Sequence, residues 1–130
     1  MPVDYDYDPE LNAVIVHLKG TVKVAEVLDF QDRLLADPAV KHGHFEIIDF
    51  STTDEYAVSD EDLGEIALKA EEVAAAKGHQ RSYYYADSHR AHGIAMMLRA
   101  LGDDHGFEVE VYRDWETMVR VMGIRAREGE

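Results

Sequence analysis

The chain has 130 residues, 46% of them apolar, with 27 acids against 13 Lys and Arg for a net charge of −14. That length suits one domain with its own core, and that apolar content argues against disorder. The charge repels phosphate backbones and anionic bilayers, no run reaches the ~18 apolar residues of a membrane span, and the lack of cysteine removes disulfides and thiolate chemistry.

In chain order, "DYDYD" (4–8) alternates tyrosine with aspartate and reads as an edge strand that stops at Pro9. "PELN" (9–12) suits a hairpin turn, and "AVIVHLK" (13–19) is a β-branched strand bounded by Asn12 and Gly20. "VAEVLDFQDRLLAD" (24–37) reads as a helix with Val24, Val27, Leu28, Leu34 and Leu35 on one stripe, stopped by Pro38. "HFEIIDF" (44–50) is a third strand. After a polar crossing, Ser59 caps a helix over 59–78 whose first turn is acidic and whose end is Gly78. Its buried face is Leu63, Ile66, Ala67, Ala70, Val73 and Ala74. "RSYYYAD" (81–87) is a strand, and 88–102 a helix with Ile94, Met97, Leu98 and Leu101 inward. "FEVEVYR" (107–113) alternates cleanly, Asp114 caps a last helix over 114–123, and the tail from about 124 is expected to fray. The order ββαβαβαβα predicts one α/β domain over 1–130, with a mixed, mostly parallel five-stranded sheet and about four helices.

Several stretches carry a resemblance. "Y-D-x-x-x-x-A-V-I-V-H-L-K-G-T-V", a helix ending "L-L-A-D-P", and "I-I-D-F-S" before a polar crossing resemble the SpoIIAA-like or STAS family of anti-sigma-factor antagonists and transporter C-terminal domains. "G-I-A-M-M-L-R-A-L" and the closing "V-Y-R-D-W-E-T-M-V-R-V-M-G" are similar to small stand-alone bacterial STAS-like proteins. The resemblance implies a SpoIIAA-like fold and a non-enzymatic, anti-sigma-factor-antagonist-like regulatory or protein-interaction module. The family's Asp-Ser-Ser-Gly motif opens the second helix, and a partner kinase phosphorylates its second serine. Ser59 stands at that place, with Ala57, Val58 and Asp60 where the motif has aspartate, the first serine and glycine. Ser59 is therefore a candidate phosphorylation position or a helix N-cap. Asp60, Glu61 and Asp62 would repel a phosphate there, which favours the cap.

Other chemistry has less behind it. There is no G-x-S-x-G elbow and no glycine-rich phosphate loop, so nucleophilic catalysis has little support. The histidines lack metal-site spacing: His89 and His92 share a helix face, His42 and His44 fall in a loop, and His17 sits in an apolar strand as a satisfied buried side chain. No metal and no cofactor is implied. Ligands of open parallel sheets bind beyond the strands' carboxyl ends, which makes Asp49, Asp54, Asp87, Ser88, His89 and Arg113 a candidate ligand rim. Phe30 and Met96 are left over from the stripes and form a candidate interface for a protein partner or a second copy. The acidic N-terminus lacks the apolar core of a signal peptide, so a cytoplasmic protein is expected.

Two functional classes stay open: an interaction module, or a small-molecule-binding, lipid-binding or enzymatic domain using the rim. A filled core with an exposed apolar patch favours the first. A deep apolar pocket with convergent polar groups favours the second.

Overall fold

The computed structural model describes residues 2–79 and 81–128, the side chains of 124–128 excepted. The strands are β1 (Val3–Asp8), β2 (Ala13–Lys23), β3 (Phe45–Ala57), β4 (Arg81–Tyr85) and β5 (Glu108–Tyr112). The helices are α1 (Val24–Ala36), α2 (Asp60–Lys77), α3 (His89–His105) and α4 (Trp115–Glu128). The strands form one sheet in the order β1-β2-β3-β4-β5. Only β1 runs antiparallel to its neighbour; the other three pairings are parallel. The expected α/β class, element order and mixed, mostly parallel five-stranded sheet are therefore those of the folded chain.

Alternation along the strands gives the sheet two different faces. Val14, Val16, Ile48, Phe50, Tyr84 and Val109 face a core built with α1, α2 and α3. Ile47 and Tyr83 point the other way and pack with Met118 of α4, which lies on the opposite face. The adjacent tyrosines of "YYY" thus serve both layers, and the ring of Tyr84 lies 5.5 Å from that of Phe50.

Some boundaries differ from the sequence expectation. Gly20 does not stop β2. It adopts φ 63° beside two register shifts, so it sits within an irregular stretch that the strand passes through. β2 and β3 continue together as a parallel ribbon to Lys23 and Ala57, where Val22 is fully buried. The hydroxyls of Thr52 and Thr53 donate to the Leu18 carbonyl at 3.1 and 2.9 Å and tie the ribbon across the irregularity. In α1 the buried side chains are Val27, Phe30, Gln31 and Leu34, an i, i+3, i+4, i+7 set rotated from the expected stripe. Phe30 is thus in the core, with its ring 5.5 Å from that of Tyr5, and offers no surface for an interface.

The third helix runs past Gly102 to His105 because Gly102 is a close-approach position rather than a stop. A Cβ there would lie 2.9 Å from the Phe107 carbonyl oxygen. The inward set of α3 is Ala91, Ala95, Leu98 and Gly102, which leaves Met97 exposed rather than buried. The last helix extends to Glu128, past Gly123, so the tail expected to fray is helical as far as that residue.

Gly78 shows how local geometry constrains sequence. It ends α2 at φ 68°, donating its N–H to the Ala74 carbonyl, and a Cβ there would meet the His42 ring at 2.4 Å. Gly78→Ala is expected to cost about 1–3 kcal/mol from the left-handed backbone alone. Urea denaturation of the two proteins measures it.

Candidate functional site

Three places carry polar chemistry: the start of α2, the rim at the strand ends, and a cluster buried in the main core.

Ser59 is the exposed N-cap of α2. The Asp62 N–H donates to its Oγ, and its own N–H donates to the Asp62 carboxylate, both at 3.2 Å. This reciprocal pair is a capping box with aspartate in the place of the usual glutamate. Asp60, Glu61 and Asp62 add charge of the sign that a helix N-terminus favours. Ser59→Ala is expected to lower stability by about 0.5–2 kcal/mol and Ser59→Asn to leave it nearly unchanged, because asparagine also caps. Thermal unfolding followed by circular dichroism tests both.

At the rim, Asp49 ends the regular part of β3 and accepts the Ser51 N–H at 2.8 Å. His17 stands beside it in the sheet, with its Nδ1 3.8 Å from Asp49 and its Nε2 3.5 Å from Asp6. His17 is about one-third exposed, not buried as expected. Tyr85 lies between strand ends. Burial, and then the charges of Asp87, Asp49 and Asp114, raise its hydroxyl pKa above the ordinary tyrosine value. Its ring meets Trp115 edge-on at 5.2 Å. The structure therefore gathers Asp49 and Asp87 around an aromatic pair that the sequence reading did not include. Two of the other expected rim residues are engaged elsewhere. Asp54 lies out on the β2–β3 ribbon, where its carbonyl accepts from Arg90 at 2.5 Å. Ser88 caps α3 by accepting the Ala91 N–H at 3.0 Å. Asp54, Asp87, Ser88, His89 and Arg113 are all exposed, which gives the rim little enclosure.

The buried cluster is the place that sequence reasoning missed. Glu46 of β3 is 8% exposed and His44 just before the strand 0%, so His44 is not the loop surface histidine expected. Glu46 lies 3.3 Å from His44 Nε2 and 3.7 Å from His79 Nε2, and the two imidazoles stack at 5.2 Å. His79 Nε2 is also 3.1 Å from both the Ser82 Oγ and the Arg81 carbonyl. Burial alone would raise the Glu46 pKa. The charge of His79, with the hydrogen bond and charge of His44, outweighs that and holds the carboxyl below its ordinary range. Although serine, histidine and glutamate meet here, this is no nucleophilic relay: Ser82 and Glu46 approach the same imidazole nitrogen, whereas a relay uses both. Among the described residues no three His, Asp or Glu side chains are grouped to hold a metal ion.

Next to this cluster is a cavity of ≈ 90 Å³ between the sheet and the helices. Its walls are mainly apolar, including Phe50, Tyr56, Ile66 and Leu101, and Gln31, Glu46, His79 and Ser82 supply polar groups. Gln31 Nε2 donates to the Ile66 carbonyl at 3.1 Å, and its Oε1 has no hydrogen-bond partner. The approach of β3 to β4 sets Glu46 opposite Ser82, and the packing of α1 on α2 adds Gln31.

No protein-family model matches the sequence, and no curated protein matches it. Solved structures do match the fold. One is an uncharacterized protein of the DUF3478 family with a SpoIIAA-like fold from Shewanella loihica PV-4, with TM-score 0.60 and 11% identity over 92% of this chain and 91% of that one. Another is the anti-sigma factor antagonist SpoIIAA in its unphosphorylated form, with TM-score 0.52 and 15% identity over 93% of this chain and 98% of that one. The chain has a SpoIIAA-like, or STAS-like, fold. Among the described residues no helix is long and apolar enough to cross a membrane.

Proposed function

We propose that this chain is a cytoplasmic, non-enzymatic regulatory or protein-interaction module of STAS type, with its contact surface centred on the first turn of α2. The observation that carries the reading is the exposed N-terminus of α2, where Ser59, Asp60 and Glu61 stand clear of the core on a rigid, capped helix. The fold likeness to an anti-sigma factor antagonist supports it. Three acids in one turn call for a partner with a basic surface. Ser59 acts as a cap, because its hydroxyl is already engaged and a phosphate would face three carboxylates.

The test is capture from a lysate of the native organism with the chain immobilised. Asp60→Lys combined with Glu61→Lys should lose the bound protein, while Ser59→Asn should keep it. Undiminished capture by the double variant would overturn the reading. Intact-mass analysis of the native protein tests the cap assignment, and a substantial phosphorylated fraction at Ser59 would replace it with a phosphoswitch. A second copy of the chain is a further partner in this reading, through Met96 and Met97, which are 39% and 51% exposed on α3. Light scattering in salt, which screens the repulsion between two chains of −14 each, should then give twice the chain mass at high micromolar concentration.

A further inference from the structure

We propose that the cavity beneath the helices binds a small aliphatic molecule with a hydrogen-bond-donating head, an alcohol or an amine, and that Gln31 Oε1 accepts from that head. This goes beyond the surface contact proposed above and uses none of its residues.

Gln31 supplies the polar end of the site. It is 7% exposed on the inner face of α1, and it lines the cavity. Its amide orientation is fixed by chemistry: the nitrogen donates to the Ile66 carbonyl, so the oxygen is the group left over. A buried carbonyl oxygen without a donor carries a cost of about 1–3 kcal/mol, so a helix that holds one against a cavity favours an occupant that can donate. Glu46 lines the same cavity and adds a second acceptor. Both acceptors favour a hydroxyl or amine hydrogen, and Ser82 and His79, the other polar groups of the wall, already meet each other at 3.1 Å.

The remaining walls specify the body. Ile66, Ala67, Ala70, Val73, Leu98 and Phe107 surround the space with carbon. A dry cavity of about 150 Å³ takes benzene, so ≈ 90 Å³ takes a body of about four non-hydrogen atoms. Water is the competing occupant, since about three molecules would fill that volume. Gln31 and Glu46 can bond such waters, so the ligand has to displace them.

The experiment compares 1-butanol with diethyl ether, which has the same atoms and no donor, by titrating each into labelled protein and following backbone amide shifts. Butylamine is a third arm, to separate an amine from a hydroxyl head. The expected result is saturable binding of butanol or butylamine, with shifts at Gln31, Ile66, Ala67 and Ser82, and binding of ether about tenfold weaker. Gln31→Met keeps the side-chain length and removes the acceptor, so it should bring the favoured ligand down to the level of ether. Ala70→Leu fills the space from α2 and should abolish binding while the remaining spectrum stays folded. It serves also if Gln31→Met does not fold. Equal binding of butanol, butylamine and ether, discrimination that survives Gln31→Met, or saturation by none of the three would overturn the proposal.

Discussion

Glu46→Ala is expected to destabilise the protein by about 2–5 kcal/mol, from the space it empties and from two buried imidazoles that lose their acceptor. The carboxylate lies between two buried imidazoles, and His44 Nδ1 already lacks a hydrogen-bond partner. Taking Glu46 away leaves His44 and His79 buried with less to bond. Glu46→Gln keeps the shape and one acceptor oxygen, so its cost should be smaller. The pH dependence follows from the direction of the shift. In the folded chain the carboxyl lies below its ordinary value of 4.5, because His79 and His44 outweigh its burial. The unfolded chain therefore takes up the proton first as pH falls. The stabilisation is fully present above about pH 4.5 and is lost as pH drops through the lower folded value. Urea unfolding of the wild type and Glu46→Gln across this acid range should show their difference shrinking toward low pH. A difference independent of pH would mean that Glu46 stabilises by packing alone.

Phe50→Ala is the other large effect, at about 3–5 kcal/mol. Phe50 is 1% exposed, touches the rings of Tyr56 and Tyr84, and forms part of the cavity wall. Removing it would join new empty volume to the existing cavity, and a strand at the centre of the sheet cannot move inward to fill it. Phe50→Leu keeps most of the apolar volume and should cost less. Chemical denaturation of both variants gives the ordering directly, and equal costs would mean that the site relaxes around the gap.

Much of the fold was legible because short-range patterns carry it. The alternation in "FEVEVY", the acids after Ser59 and the β-branched run before Lys19 each fix an element locally. Misreadings came where two local signals competed. Gly20 looks like the end of a strand, but the Thr and Val residues after it continue the pairing through an irregular stretch. Gln31 hid the true face of α1, since a polar residue in the stripe shifts the apparent hydrophobic set away from Phe30. The rim was legible only as polar strand ends. Its aromatic pair joins Tyr85 to Trp115 on another element, and no spacing rule announces that contact. The buried cluster was the least legible of all. Positions 31, 44, 46, 79 and 82 share no motif and meet only through the parallel pairing of β3 with β4 and the packing of α1 on α2.

Hydrogen–deuterium exchange of the chain alone and bound to the protein it captures decides whether the first turn of α2 is the contact surface of an interaction module. Slowed exchange is expected over the end of β3 and the start of α2, around Ser59 to Leu63, with the α4 face unchanged. Protection confined to α4 or the β1 edge, with the α2 start unaffected, would contradict it.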